Sequence, residues 1–338
     1  MQTRYSSDCD KNAWKQIMIA VTMGDGDGVG PEIILNAWCE REMDGEFVVV
    51  GDYSVLDYCS RKLDYPVKFH IVSDPSQYQE GYLNVLDMGM VSEGDLTPGK
   101  VNAKVAAASR AYVVKATELA LEGKAGAVCT LPVNKEAIRL TDPDFTGHTE
   151  LIAGICGQDS YTMMLASDKL TVTHVSTHVS MEQSIRNVKK DRVYDVIRLT
   201  YENIKRFKAE PYIAVAGLNA HAGEGGAFGR QELDEIIPAV ELANQNGMKT
   251  AGPIPPDTVF LRASRGEFDA VVCMYHDQGH IPMKLLDFDG GVNVSLGLKV
   301  IRASVDHGTA YDIAYQKKAS TGSFVKAFEY TMKLMKNE

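Results

Sequence analysis

The chain has 338 residues, of which 45% are hydrophobic, and it carries a formal net charge of −10. This length and composition are typical of a globular protein with two domains or one large α/β unit. The acidic balance, with no basic run, argues against binding to nucleic acid or to an anionic membrane. No run of 18 apolar residues occurs, and the six cysteines form no CxxC pair, so we expect reduced thiols in a cytoplasmic protein without membrane spans.

The first half of the chain alternates short apolar runs with helical patterns. After a polar stretch at 1–15, interpreted as a loose tail, strands are predicted at 17–23, 47–50 and 125–131, and a long alanine-rich helix at 104–122. The glycine-rich loop at 24–30 leads into a helix that starts near Pro31, but it does not fit the dinucleotide fingerprint G-x-G-x-x-G. A tight turn explains the loop equally well, so it does not by itself predict a Rossmann domain.

Three further predicted strands, at 170–176, 212–217 and 270–274, each end in polar residues that include a histidine. Strands alternating with helices indicate an α/β fold with a largely parallel sheet. Ligands bind beyond the carboxyl ends of such strands. His178, His221 and His276 follow the three strand ends, and three imidazoles with an open position suit a catalytic divalent metal ion.

The alternative for each histidine is an ordinary capping or packing role, because the separations between the three carry no metal signature. The pairs His174/His178 and His276/His280 have i,i+4 spacing, which brings side chains together only on one helix face.

Two segments are predicted to begin helices. The residues at 145–150 precede an apolar helix whose free N–H groups suit an anion, and the residues at 304–310 open a predicted helix at 311–315. Plain capping is the alternative for both segments. Lys284, Asn293 and Arg302 follow in a glycine-rich stretch, and each alone is compatible with a solvated surface position.

Seven motifs together resemble the 4-hydroxythreonine-4-phosphate dehydrogenase (PdxA) family. They are GHTE at 147–150, STHVSM at 176–181, GLNAHAGEGG at 217–226, PPDTVF at 255–260, MYHDQGHIPMKLL at 274–286, GVNVSLGL at 291–298 and IRASVDHGTAYDIA at 301–314. The resemblance covers nearly the whole chain from about residue 17, in the family's order. The HDQGHIP form is most similar to the branch that acts on 4-phospho-D-threonate and 4-phospho-D-erythronate.

The resemblance implies two α/β/α domains like those of the isocitrate and isopropylmalate dehydrogenases, and not a Rossmann fold. The first domain would comprise 1–135 and 288–338, with both termini and the cofactor side, and the second would comprise 136–287, with the metal and dimer side. The active site would lie in the cleft between them. The family also implies a homodimer with each active site at the subunit interface.

The resemblance implies roles for matching positions. The metal ligands would be His178, His221 and His276. The substrate would contact His148, Thr149, Lys284, Asn293 and Arg302. The catalytic groups would be Lys284, Asp277 and Asp257. The adenosine of the cofactor would lie against His307, Gly308, Thr309 and Asp312.

The implied reaction uses NAD, with NADP as an alternative, and one divalent ion per subunit (Zn, Mg, Mn or Co). It oxidises a 4-phosphorylated 3-hydroxy acid and decarboxylates it to dihydroxyacetone phosphate and CO2. Alternatives are the vitamin B6 enzyme that acts on 4-hydroxythreonine-4-phosphate, a hydrolase that uses the three histidines to activate water through a metal, and a retired, effector-binding relative.

The sequence departs from the family in three places. Gly26-Asp27 replaces the usual Pro-Ala of the first loop, which predicts a looser loop with an added carboxylate, unfavourable near a phosphate. Ala220 replaces a proline before the second histidine, and Asp287 and Asp289 add negative charge beside Lys284. These departures bear on the identity of the substrate more than on the reaction class.

Overall fold

The computed structural model describes residues 18–288 and 290–337, which form two compact units. Unit 1 contains the described residues up to Phe145 together with Thr309–Ala319. Unit 2 contains Thr146–Gly308 and the described residues from Ser320 onward. These units differ from the predicted domains, because 288–308 and the C-terminal segment group with unit 2.

Unit 1 has alternating strands and helices. Its strands are β1 (Ile19–Thr22), β2 (Phe47–Gly51), β3 (Phe69–Val72), β4 (Leu83–Asp87) and β5 (Ala127–Thr130). Its helices are α1 (Gly30–Cys39), α2 (Tyr53–Leu63), α3 (Ala103–Leu121) and α4 (Lys135–Arg139). The strands and helices predicted for this half of the chain are therefore confirmed. Ile17, Cys9, the predicted tail and Asp289 lie outside the described residues.

The strands of unit 1 pair in parallel in the order β3-β4-β2-β1-β5. Every residue of β1 and β2 is buried. A strand that is covered on both faces consists of a continuous run of apolar residues, and for this reason β1 and β2 could be predicted from the sequence. The order differs from the 3-2-1-4-5-6 arrangement of the Rossmann fold, in agreement with the failed fingerprint.

Unit 2 is larger. Its strands are β6 (Thr162–Ala166), β7 (Thr171–His174), β8 (Ile213–Ala216), β9 (Thr250–Ile254), β10 (Ala270–Cys273), β11 (Val292–Leu296) and β12 (Ile301–Ser304). Its helices are α5 (His148–Cys156), α6 (Met181–Asn187), α7 (Lys190–Lys205), α8 (Ile237–Gln245), α9 (Pro256–Ser264), α10 (His276–Leu286) and α11 (Gly322–Lys336).

The sheet of unit 2 is mixed, with the order β12-β11-β6-β7-β10-β8-β9. Strands β7, β10, β8 and β9 run parallel, whereas β11 pairs antiparallel with both β6 and β12. These antiparallel pairs join residues 292–304 to unit 2. Two apolar clusters of buried side chains lie in this unit, one including Val215, Ile236 and Val272, and the other including Val172, Ile254 and Val271.

The predicted helix at 311–315 is wrong, because the segment forms consecutive turns. Ala310 and Tyr315 have positive φ angles of 42° and 57°, which a right-handed helix does not allow. No helix within the described ranges is long and apolar enough to cross a membrane.

Candidate active site

Three neighbouring parallel strands of unit 2 deliver the predicted metal ligands to one edge of the sheet. His178 follows β7, His276 follows β10 as the first residue of α10, and His221 follows β8. Strand β10 pairs with both β7 and β8, so it lies between them. The three predicted ligands therefore each follow the end of a parallel strand, and the three strands are neighbours in the sheet.

A cavity of about 390 Å³ opens at this edge. It is lined by Met163, His178, His276, Asp277, His280, Ile281, Lys284, Asn293 and Asp306. Five of the lining residues were predicted site residues. They lie in the connection that follows β7 (His178), in α10 (His276, Asp277 and Lys284) and in β11 (Asn293). His221 and Asp257 are not among the described residues that line it; Asp257 lies in the first turn of α9 and is exposed.

The rings of His178 and His276 have centroids 5.5 Å apart. Two imidazoles on one tetrahedral zinc ion, with Zn–N bonds of about 2.1 Å, place their centroids roughly 5 Å apart, so this pair fits two positions of a metal site. His276 Nδ1 also lies 2.7 Å from Asp277 Oδ1, the carboxylate contact that commonly orients a metal-binding histidine.

His221 is exposed and lies in the turn Ala220–Gly226, where it has a φ of 52°. Its ring is 6.4 Å from that of Phe228. Within residues 18–288 and 290–337, no group of three or more His, Cys, Asp and Glu side chains is arranged to hold a metal ion. One chain therefore brings two of the three predicted ligands together.

The i,i+4 pair at the start of α10 does share one helix face. The rings of His276 and His280 are stacked, with centroids 3.6 Å apart and planes 11° apart. His280 Nδ1 lies 3.0 Å from the His276 carbonyl oxygen. Burial, followed by the neighbouring His276, lowers the pKa of His280 to about 4. The sequence had singled out this spacing without assigning His280 a role.

The ring of His174 lies beside this pair, with its centroid 4.8 Å from that of His280 and 6.3 Å from that of His276. It is fully buried at the end of β7, and its Nδ1 donates to the Met163 carbonyl oxygen at 3.2 Å. Burial lowers its pKa to about 3. Since His174 lies in a strand and His178 beyond it, that i,i+4 pair is not a helical pair.

The predicted substrate contacts meet at α5, β11 and β12. Arg302 Nη1 donates to Ser295 Oγ at 3.0 Å and lies 3.5 Å from Thr149 Oγ1. Ser295 and Arg302 are directly opposed across the β11–β12 pair, and Asn293 lies two residues from Ser295 on the same face of β11. Asn293 lines the cavity, whereas the buried Arg302 is not among the described residues that line it.

His148 and Thr149 are the first two residues of α5, and the N-cap is Gly147, which supplies no side chain. Plain side-chain capping, the alternative given above for this segment, is therefore wrong. A helix N-terminus without a side-chain cap suits a phosphate or carboxylate.

Lys284 reaches the cavity from the next turn of α10. Its Nζ lies 3.4 Å from Asp306 Oδ2 and 5.7 Å from the centroid of the Phe288 ring. Asp306 was not predicted as a site residue, because its pairing with Lys284 depends on the position of the end of β12 beside α10.

The predicted cofactor residues are divided between the units. His307 and Gly308 are exposed, and they are the last two residues of the Thr146–Gly308 segment of unit 2. Thr309 and Asp312 belong to unit 1, where the Thr309 carbonyl oxygen accepts from the Val29 amide at 3.0 Å.

The first loop of unit 1 is anchored, so the predicted loosening is wrong. Asp27 is fully buried and accepts hydrogen bonds from the Thr97 amide at 2.6 Å and the Thr97 hydroxyl at 3.2 Å. Asp25 accepts a hydrogen bond from the Tyr311 hydroxyl at 2.7 Å, and burial raises the pKa of this carboxyl to about 6.

The fold is shared with a class of dehydrogenases. A crystal structure of 4-hydroxythreonine-4-phosphate dehydrogenase from Klebsiella pneumoniae superposes with a TM-score of 0.86 at 40% identity, covering 95% of this chain and 100% of that one. The predicted α/β fold is thereby confirmed, and the chain is an oxidoreductase.

The family model described as pyridoxal phosphate biosynthetic protein PdxA matches residues 43–331. D-threonate 4-phosphate dehydrogenase from Pectobacterium atrosepticum is 42% identical over 94% of this chain and 99% of its own length. 4-Hydroxythreonine-4-phosphate dehydrogenase from Desulfosudis oleivorans is 42% identical over 92% of this chain and 94% of its own. The chain belongs to the PdxA family.

Proposed function

We propose that this protein is an NAD- and divalent-metal-dependent dehydrogenase that decarboxylates a 4-phosphorylated 3-hydroxy acid, 4-phospho-D-threonate or 4-phospho-D-erythronate. The observation that carries the proposal is the cavity that brings His178 and His276 beside Lys284 and Asn293. Relatives named D-threonate 4-phosphate dehydrogenase, at 41–43% identity, support this substrate class.

The reaction transfers a hydride from C3 of the acid to NAD, with loss of the hydroxyl proton. The resulting β-keto acid loses its carboxyl carbon as CO2, and protonation at C2 gives dihydroxyacetone phosphate. A bound divalent ion supplies Lewis acidity at the reacting hydroxyl, and His178 and His276 are the residues of unit 2 that would hold it.

In this proposal, Arg302 binds the substrate carboxylate through its planar fork, which Thr149 and Ser295 keep in place. The uncapped start of α5, with His148, holds the phosphate. Lys284 accepts or donates the proton at the reacting carbons, and Asp306 holds its amine at the cavity. Asp277 orients His276 and, with Asp257, orders water near the reacting carbons.

His221 is proposed to complete the metal site from a second copy of the chain, because one chain places it apart from the other two ligands. The exposed face of α10 supports this arrangement. Ile281 and Leu285 of α10 are 57% and 82% exposed, Phe288 just beyond the end of the helix is 72% exposed, and Ile281 also borders the cavity. Apolar residues grouped in this way mark a protein–protein interface.

A second candidate is the B6-pathway reaction on 4-hydroxythreonine-4-phosphate, which carries an amine at C2. It is favoured by relatives of that name at 40–42% identity. Because the named relatives are dehydrogenases, the hydrolase alternative has no support from the comparisons.

The test follows NADH absorbance with purified protein, NAD and a divalent ion, using each of the two hydroxy acids and the amino acid as substrate. We expect NADH to form with a hydroxy acid and to stop when a chelator is added. NADH from the amino acid alone would support the B6-pathway reaction, and no NADH from any of the three acids would contradict the dehydrogenase proposal.

A further inference from the structure

The turn that carries His221 has an unusual backbone. Residues 221–226 all have positive φ angles. Three of them are not glycine: His221, Ala222 and Glu224 have φ angles of 52°, 54° and 43°. This left-handed region is unfavourable for a residue with a Cβ atom, so such a run persists only where the surrounding structure holds it. Because the His221 side chain is exposed, the backbone of the turn determines where its ring lies.

The buried carboxylate of Glu232 lies against this turn. Glu232 is 2% exposed, and its Oε1 accepts hydrogen bonds from the backbone amides of Leu218 at 2.8 Å and Asn219 at 2.7 Å. Its Oε2 accepts a third hydrogen bond from Asn219 Nδ2 at 2.8 Å. A Cβ atom at Gly223 would stand 2.6 Å from the same Oε2. The carboxylate therefore contacts the chain both before and after His221.

Glu232 belongs to the helical element that follows the turn. Residues Glu232–Ile236 form a π-helical turn that leads into α8, and the Ile237 amide donates to the Glu232 carbonyl oxygen. A π-helical turn inserts one residue into a helix and is frequent at functional sites. Hydrogen bonds to a carboxylate are stronger than those between neutral groups. The start of this element thereby fixes the chain where it leaves β8.

We propose that Glu232 is a positioning residue that holds the turn in its left-handed conformation and so sets the position of the His221 imidazole for metal binding. The inference rests on the metal-binding role of His221 proposed above and extends that role to Glu232. Without the carboxylate, the non-glycine residues of the turn would relax from positive φ. Part of the binding free energy of the metal would then be spent on ordering the turn, which weakens metal affinity.

The test uses Glu232→Gln, in the wild-type protein and in His221→Ala. Glutamine keeps the shape of the side chain, but its amide cannot accept from two backbone amides and from Asn219 Nδ2 at the same time, because one of its ends is a donor. Two quantities are measured. The first is hydrogen exchange of the backbone amides at 217–226 in the metal-free protein, and the second is the Kd for Co²⁺, from the absorbance of the bound ion.

The matched control is Glu235→Gln. Glu235 lies in the same π-helical turn, and its carboxylate also accepts a backbone amide, that of Lys190 at 2.8 Å, together with Lys189 Nζ at 2.8 Å. These contacts hold the start of α7 and not the turn that carries His221. A general loss of stability would affect both glutamine variants, whereas a role in positioning His221 is specific to Glu232.

We expect Glu232→Gln to raise the exchange rates of the Leu218 and Asn219 amides and the Kd for Co²⁺ about 10-fold each. Glu235→Gln should leave both quantities at their wild-type values. Because Glu232 acts through His221, its replacement should not raise the Kd further in His221→Ala.

Wild-type exchange at the turn, or a wild-type Kd in Glu232→Gln, would overturn the inference while leaving the metal-binding role of His221 in place. A further loss of affinity in the double variant would also overturn it, because the effect would not pass through His221. A wild-type Kd in His221→Ala itself would overturn the proposed ligand role and the inference with it.

A second variant serves if Glu232→Gln does not fold. Asn219→Ala removes the side-chain donor to Glu232 and keeps the two backbone hydrogen bonds. We expect the same two quantities to rise in this variant by a smaller factor, about 3-fold. Wild-type values of both in Asn219→Ala would then overturn the inference.

Discussion

Gly279 of α10 lies directly against the imidazole of His174 in β7. A Cβ atom at position 279 would stand 2.6 Å from His174 Nε2 and 3.0 Å from Cys273 Sγ. Both distances are shorter than van der Waals contact, and both neighbours are fully buried. The glycine of the HDQGH segment therefore sets how closely α10, which carries His276, His280 and Lys284, approaches the sheet.

We expect Gly279→Ala to lower the free energy of unfolding by about 1–3 kcal/mol, because the added methyl group overpacks this contact. The matched control is Gly154→Ala in α5, where a Cβ meets nothing within 4 Å. That variant should be neutral or up to about 1 kcal/mol more stable, since alanine favours the helix. Denaturant unfolding of both variants measures the difference, and equal effects would contradict the close contact.

The buried His174 should make stability depend on pH. Its folded-state pKa is lowered to about 3 by burial, whereas the unfolded chain binds a proton near pH 6.5. The contribution of His174 to the free energy of unfolding is therefore fully present above about pH 6.5. It is lost as the pH falls from there toward 3, and about 2 kcal/mol is lost by pH 5.

This dependence is measured by urea unfolding between pH 7.5 and 5 in the presence of a chelator. His174→Asn keeps a donor for the Met163 carbonyl and does not titrate, so its stability should fall less steeply over this range. If the free energy of unfolding fell with pH equally steeply in the variant and the wild-type protein, the folded protein would bind a proton at His174 as readily as the unfolded chain does.

Replacement of Arg302 should weaken substrate binding without removing positive charge. Lysine cannot reproduce the planar fork that Ser295 and Thr149 hold, so we expect Arg302→Lys to raise KM at least about 10-fold. Arg198→Lys on α7, which alters an exposed network with Glu202, is the control and should keep the wild-type KM. An unchanged KM in Arg302→Lys would remove this residue from the substrate site.

Loss of His221 should remove activity without unfolding the chain. Because the side chain is exposed within one chain, metal-free His221→Ala should keep the melting temperature of the metal-free wild-type protein. Turnover should fall by more than about 100-fold, together with bound metal measured by atomic spectroscopy. His70→Ala in unit 1 is the control for loss of an imidazole. Wild-type metal content in His221→Ala would exclude it as a ligand.

The exposed face of α10 predicts an effect on assembly. A chain of 37.0 kDa should elute as a dimer, and Leu285→Asp should shift it toward the monomer, because a carboxylate would be buried in the interface. Leu140→Asp, at a residue of unit 1 that is 63% exposed, should remain dimeric. Size-exclusion chromatography with light scattering measures the mass of both, and a dimeric Leu285→Asp would place the interface elsewhere.

The sequence alone determined the elements whose signal is local. Strands such as β1 and β10 are continuous apolar runs because both faces are buried, and α3 has the composition of a helix. The positions of His178, His221 and His276 just beyond strand ends followed from the same reading. The turns at 311–315 were missed because positive φ at Ala310 and Tyr315 is held by tertiary contacts, such as the Tyr315 hydroxyl on the Gly26 carbonyl oxygen.

Only the tertiary structure decided which of these residues meet. The pairing of Lys284 with Asp306, and of Arg302 with Ser295 and Thr149, depends on strand order and register that residue spacing does not encode. The stacking of His280 on His276 required that the helix begin at His276 and not after it, so that both rings share one face. Local pattern fixes which residues stand at the sheet edge, and long-range packing selects those that form the cavity.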